Sequence, residues 1–209
     1  MYYIYLHGFA SSPRSLKARY LCDRFAKVGI SLHILDLNQD DFSHLTFSRQ
    51  LQQVKEEFPD PETPITIIGS SFGGLTAVWL AQKHPQVKQV ICLCPAFNFL
   101  NHFLAKIGEQ KLQQWQETGY LSIYHYGQNR RLPLHYEFIT DVQKYPDSEL
   151  QCVVPTLILH GRYDEVIPIQ ASKNYQKNFP QVKLIELESN HTLGNVIPQL
   201  WEEIQKFCL

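Results

Sequence analysis

Apolar and polar positions along the chain alternate between two rhythms. Short, nearly continuous apolar runs stand at Tyr2–Leu6, Leu32–Leu35, Ile65–Ile68, Val90–Cys94, Thr156–Leu159 and Val182–Leu187. Runs of this length with no polar face predict strands covered on both sides, as in a parallel sheet. Between them lie longer amphipathic stretches, Ser15–Lys27, Leu45–Phe58, Gly73–Lys83, Ile169–Asn178 and Pro198–Phe207, which predict helices. In the second of these, Phe47, Leu51, Val54 and Phe58 are spaced by four, three and four, which lays one apolar stripe along a helix. Strand–helix alternation implies right-handed crossovers. The predicted fold class is α/β: a mainly parallel sheet of about six strands with helices on both faces.

One stretch breaks the rhythm. From about residue 97 to 145, roughly fifty residues separate the fourth strand from the fifth, where a crossover needs about a dozen. Phe99, Phe103, Trp115, Tyr120, Tyr124, Tyr126, Tyr136 and Phe138 are interleaved there with Gln and His, and Leu100–Gln114 has a helical pattern. This predicts a helical cap insertion over one end of the sheet, within a single domain spanning residues 1–209.

Composition narrows the classes further. The 209 residues carry 19 basic against 20 acidic side chains, a net charge of −1, so no basic stripe favours nucleic acid as a partner. The five cysteines, Cys22, Cys92, Cys94, Cys152 and Cys208, are odd in number and lack a C-x-x-C pair. They are expected to be small buried hydrophobes in a reducing compartment, with Cys92 and Cys94 on one strand face. Met1–Leu6 lacks a basic flank, and no window reaches the ~18 apolar residues of a membrane span. The expected address is the cytoplasm.

The strongest chemical signal is Ile67-Ile68-Gly69-Ser70-Ser71-Phe72-Gly73-Gly74-Leu75, a G-x-S-x-G at the end of a strand and the start of a helix. A nucleophile elbow requires that context: the turn at Ser71 is so sharp that Gly69 and Gly73 must be free of side chains. Ser70 is the rival nucleophile, but it lacks glycines two residues away on both sides. A serine hydroxyl needs a base, and the base needs an orienting acid. Asp164 follows the fifth strand in His160-Gly161-Arg162-Tyr163-Asp164, and His191 follows the sixth in Ser189-Asn190-His191-Thr192. Ligands in an open parallel sheet bind beyond the carboxyl ends of the strands, so these loops share an edge with Ser71. An oxyanion hole needs two donors. The amide of Phe72 is one candidate, and the amide of Phe9, in the Leu6-His7-Gly8-Phe9 loop, is the other. The His7 ring reads as structural, hydrogen-bonded within that loop, and Ser11-Ser12-Pro13 reads as the cap of the first helix. No P-loop, dinucleotide fingerprint or zinc spacing occurs, so no cofactor and no metal are expected.

Taken together, Leu6-His7-Gly8, Gly69-Ser70-Ser71-Phe72-Gly73-Gly74, His160-Gly161-Arg162-Tyr163-Asp164 with Val166 and Pro168, and Asn190-His191 resemble the α/β-hydrolase superfamily. The opening His7-Gly8-Phe9-Ala10-Ser11-Ser12-Pro13, with Ser15 and Lys17-Ala18, is similar more narrowly to the small bacterial YqiA-type esterases. The resemblance implies Ser71 as nucleophile, His191 as general base and acid, Asp164 as orienting carboxylate, and Phe9 and Phe72 as oxyanion amides. It also implies a sheet without the antiparallel edge strands of larger members, since the chain starts at the strand bearing His7-Gly8. The expected activity is that of an esterase or thioesterase acting on a small acyl substrate, with Trp115 and Tyr120 of the cap selecting acyl length. Two alternatives stand beside it: a non-catalytic small-ligand-binding protein on the same fold, and a triad hydrolase of a C–C or amide bond.

Overall fold

The computed structural model describes residues 1–209. Strands β1 (Tyr2–Leu6), β2 (Leu32–Leu35), β3 (Ile65–Ser70) and β4 (Val87–Leu93) precede the insertion. The insertion carries β5 (Tyr120–His125) and β6 (Arg130–His135), and β7 (Thr156–Gly161) and β8 (Lys183–Leu187) follow it. The helices are α1 (Leu16–Lys27), α2 (Phe47–Glu56), α3 (Phe72–Lys83), α4 (Phe99–Ile107), α5 (Glu109–Thr118), α6 (Glu137–Val142), α7 (Gln170–Asn178) and α8 (Ile197–Cys208). Six strands form one parallel sheet in the order β2-β1-β3-β4-β7-β8, with no antiparallel edge strand.

Each strand is apolar on both sides because both sides are covered. Along β1, Tyr3 and Tyr5 join Phe25 of α1 and Trp201 of α8 on one face. Ile4 and Leu6 join Leu51 of α2 and Leu75 of α3 on the other. The order of the strands reverses between β1 and β3, since β1 leads outward to β2 while β3 leads across to β4 and β7. The loops leaving those two neighbours diverge and open a crevice at the carboxyl edge.

Four details differ from the sequence-based expectations. The cap of α1 is Ser15, whose hydroxyl accepts the Ala18 N–H; Ser12 Oγ instead takes the Arg14 N–H at 3.3 Å. Cys92 and Cys94 lie on opposite faces, because the pleat ends at Leu93 and Cys94 turns to φ 46°. The insertion is helical at α4, α5 and α6, but between them β5 and β6 pair as an antiparallel hairpin. Leu121, Ile123 and His125 alternate inward along β5 while Tyr120, Ser122 and Tyr124 face out, which is the period of a half-buried strand. Finally, Trp115 is fully buried and its indole N–H donates to the Leu134 carbonyl at 2.8 Å, so it staples α5 to the hairpin. Tyr120 lies on the outer face and meets His44. No helix is long and apolar enough to cross a membrane.

Candidate active site

Ser71 sits at the junction of β3 and α3 with φ 53° and ψ −116°, a backbone conformation an L-residue holds only when its surroundings enforce it. The enforcement is visible at the flanking glycines. A methyl group on Gly69 would lie 2.2 Å from the Gly73 carbonyl oxygen, and one on Gly73 would lie 2.3 Å from that of Leu6. Further hydrogen bonds pin the turn: Ser71 N–H donates to the Leu93 carbonyl, and the Ser71 carbonyl accepts from Gly74 and Ala96. Ser71 is half-buried, whereas Ser70 ends β3 and is buried.

The structure brings the three polar residues singled out in the sequence to one place. His191 Nε2 lies 3.1 Å from Ser71 Oγ, and His191 Nδ1 lies 2.7 Å from Asp164 Oδ2. Asp164 is buried in the turn after β7, where its Oδ1 accepts the Val166 and Ile167 N–H groups at 2.9 and 2.8 Å. Burial raises the Asp164 pKa, but hydrogen bonds from His160 and His191, the charge of His191 and the Ile167 N–H outweigh it. The carboxyl is held well below the usual carboxylate range.

The loop carrying His191 is tied from two sides. Lys17 Nζ of α1 donates to the Thr192 carbonyl at 3.0 Å, and His191 N–H reaches Glu165 Oε2 at 3.4 Å. Asn190 Oδ1 accepts from both the N–H and the hydroxyl of Thr192, closing the turn locally. Lys17 was conspicuous in the sequence only as part of a resemblance; the contact that explains it spans the whole chain.

The loop after β1 comes against the same serine. A methyl group on Gly8 would lie 3.3 Å from Ser71 Cβ, so the Gly8–Phe9 backbone borders the hydroxyl. Phe72 begins α3, where the first amides have no intrahelical acceptor. The His7 ring is buried beneath this loop, facing the Gly8 carbonyl at 2.8 Å and accepting the Leu37 N–H at 3.0 Å, so it is structural. The hairpin supplies a support that the sequence did not reveal. Tyr126 N–H donates to the Ala10 carbonyl at 2.8 Å, Asn38 Nδ2 holds the Ser11 carbonyl at 2.9 Å, and buried His125 contacts Asn38 at 3.1 Å. Ala10 itself has φ 52°, a geometry that these contacts maintain. Above the loop, the Phe9 ring packs against Phe99, Phe103 and Phe138 of the insertion at 6.1, 5.5 and 5.1 Å.

The residues closest to a metal-ligand set are Cys94, His160 and Asp164, whose donor atoms lie within 4.8 Å of one another. Each is already engaged in hydrogen bonding: Cys94 Sγ accepts the Gly161 N–H, His160 Nε2 meets the Ile167 carbonyl, and Asp164 serves His191. Burial also pushes the Cys94 thiol far up, away from the thiolate a metal needs. The group fits a polar network better than a metal.

The profile of a protein family described as "Uncharacterised protein family (UPF0227)" matches residues 2–208, nearly the whole chain. The chain belongs to this family. No curated protein matches the sequence. Solved structures show that this UPF0227 member has the α/β-hydrolase fold. It is similar to the mouse alpha/beta hydrolase domain-containing protein 10 at 21% identity and a TM-score of 0.75, over 97% of this chain and 89% of that one. Est1E of Butyrivibrio proteoclasticus, solved with ferulic acid bound, matches at 20% identity and 0.79, over 98% and 86%. The Paleococcus ferrophilus monoacylglycerol lipase matches at 14% and 0.76, over 98% and 92%. At these identities the shared property is the fold.

Proposed function

We propose that this UPF0227 chain is a serine hydrolase, an esterase or thioesterase acting on small acyl substrates. The observation that carries the reading is the placement of His191, within hydrogen-bond reach of Ser71 Oγ on one side and Asp164 Oδ2 on the other. In this mechanism Ser71 Oγ attacks the acyl carbon while His191 Nε2 takes its proton, and Asp164 holds the ring in the productive tautomer and stabilises the imidazolium. The oxyanion is received by the amides of Phe9 and Phe72. His191 then protonates the leaving group, and water repeats the sequence on the acyl-enzyme to free Ser71.

The insertion serves as the cap in this reading. Phe9 and Phe103 are the half-buried members of the aromatic cluster beside Ser71, and a small acyl group would meet them first. That Est1E holds ferulic acid on the same fold is compatible with an acyl substrate and does not identify this one. A cytoplasmic address is part of the proposal. Hydrolysis of a panel of acyl esters and matched thioesters tests it: turnover is expected with short acyl groups and is lost in Ser71→Ala. Absence of turnover on every member would contradict the assignment.

A further inference from the structure

The loop that carries the Phe9 amide holds a conformation that its own sequence does not favour. Gly8 to Ser11 form a four-residue turn, closed by the Ser11 N–H on the Gly8 carbonyl at 3.2 Å, and Ala10, its third residue, stands at φ 52°. A positive φ there normally falls to glycine, because a side chain at that position is strained. The constraint comes from the insertion. At the tip of the β5–β6 hairpin, Tyr126 N–H donates to the Ala10 carbonyl at 2.8 Å. The next carbonyl, that of Ser11, is reached through two buried side chains whose orientations their neighbours dictate. Gln128 N–H donates to His125 Nδ1 at 3.1 Å, so the neutral ring carries its hydrogen on Nε2, which donates to Asn38 Oδ1 at 3.1 Å. The Asn38 amide nitrogen then donates to two acceptors, the Ser11 carbonyl at 2.9 Å and Asp36 Oδ1 at 2.8 Å.

Gly127 is an independent sign of the same contact. Its φ lies outside the left-handed region, so its backbone does not call for glycine. Its surroundings do: a methyl group there would lie 2.6 Å from Ser12 Cβ and 3.0 Å from the carbonyl carbon and oxygen of Ser11. The tip is exposed to solvent, yet it is seated on this loop with no room for one more carbon. We propose that the hairpin tip is a positioning element of the oxyanion hole: His125 acting through Asn38, the Tyr126 N–H and the close fit of Gly127 fix the Gly8–Ser11 turn and so aim the Phe9 N–H. The inference rests on the reading of that N–H as an oxyanion donor. A donor works only if it is already aimed where charge develops, and small misplacements are costly. The other contacts of the loop do not replace this brace. The His7 ring meets the Gly8 carbonyl at the opposite end of the turn, and the aromatics around Phe9 place its side chain, not the Ala10 and Ser11 peptides. The insertion thus completes the site as well as covering it.

The test compares the rates at which Ser71 is labelled by a fluorophosphonate and by its P=S analogue, in the parent, Asn38→Leu, His125→Phe, His125→Gln and Gly127→Ala. Sulfur accepts N–H bonds weakly, so the P=S probe draws little on the oxyanion hole while using the same Ser71 and His191. Asn38→Leu and His125→Phe are expected to slow the P=O probe by about 10–100-fold, less than deleting a donor outright, and Gly127→Ala by roughly tenfold. The P=S rate should change little, so the ratio of the two rates falls by the same factors. His125→Gln, which keeps an N–H near Nε2, should recover most of the ratio. A ratio that stays at the parent value in the folded variants, or an equal fall with both probes, would overturn the inference and leave the hairpin as packing. Should the buried substitutions fail to fold, Gly127→Ala, at an exposed position, decides alone. Absence of labelling in the parent would instead overturn the hydrolase reading. Hydrogen exchange of the Ser11 amide, which closes the turn, still reports on the brace in that event: faster exchange in Asn38→Leu and Gly127→Ala supports it, and unchanged exchange contradicts it.

Discussion

At the scale of single residues, the site depends on backbone placement as much as on side-chain chemistry. Ser71 can be presented at φ 53° only because Gly69 and Gly73 leave room for the chain to fold tightly back. The side chains then reach each other from three loops that follow β3, β7 and β8. In the proposed mechanism Asp164→Asn keeps this geometry but loses the negative charge and the tautomer preference. It is expected to lower kcat by about 10³–10⁴ while the fold persists. Steady-state kinetics beside a thermal melt checks this, and a variant with near-parental kcat would remove Asp164 from the mechanism. These residues were legible in the sequence because each stands directly after an apolar run, where chain order and strand order together fix the edge. Lys17 was visible as a motif letter, but its tie to the His191 loop depends on a contact with the Thr192 carbonyl that no local pattern encodes.

At the scale of elements, the sheet and its flanking helices follow from periodicity, and the insertion does so only in part. A helical stripe marks α4 and α5, but the alternation of Leu121, Ile123 and His125 was masked by an aromatic at every second outward position. The same masking made Trp115 look like a pocket residue. Its burial and its bond to the Leu134 carbonyl make it a structural staple instead. Two substitutions therefore separate packing from selection. Trp115→Ala is expected to cost about 3–5 kcal/mol of stability, the range for emptying a buried large aromatic site. Phe103→Ala, in the half-buried cluster facing Phe9, should leave the melting temperature closer to the parent and shift preference toward longer acyl groups. A ranking of acyl lengths unchanged by Phe103→Ala would argue that the insertion does not line the substrate path.

At the scale of the whole molecule, the insertion is fastened to the core by a charge. Asp141 of α6 is buried and accepts the Ser48 N–H and hydroxyl, both at 2.7 Å, at the start of α2. Burial alone would raise its pKa, but those two bonds and Lys144 bring it below the ordinary carboxylate value. A group depressed in the folded state stabilises the fold above its unfolded pKa, near ~3.9, and the stabilisation is lost as pH falls through the folded value. Asp164 carries the same sign. The melting temperature is therefore expected to fall below about pH 4, and Asp141→Asn should lower it at neutral pH while flattening the acid decline. An unchanged acid slope in that variant would contradict the assignment. The most direct test of the proposed chemistry reads the site as a unit. A fluorophosphonate reacts with a serine that has both an activating base and an oxyanion hole. Treating the folded chain with a small and a bulky probe and mapping the adduct by peptide mass spectrometry is predicted to give one equivalent at Ser71. Ser71→Ala and His191→Ala should lose the label, and Ser70→Ala should retain it. Label at Ser70, label that survives His191→Ala at full rate, or no label from either probe would contradict the account.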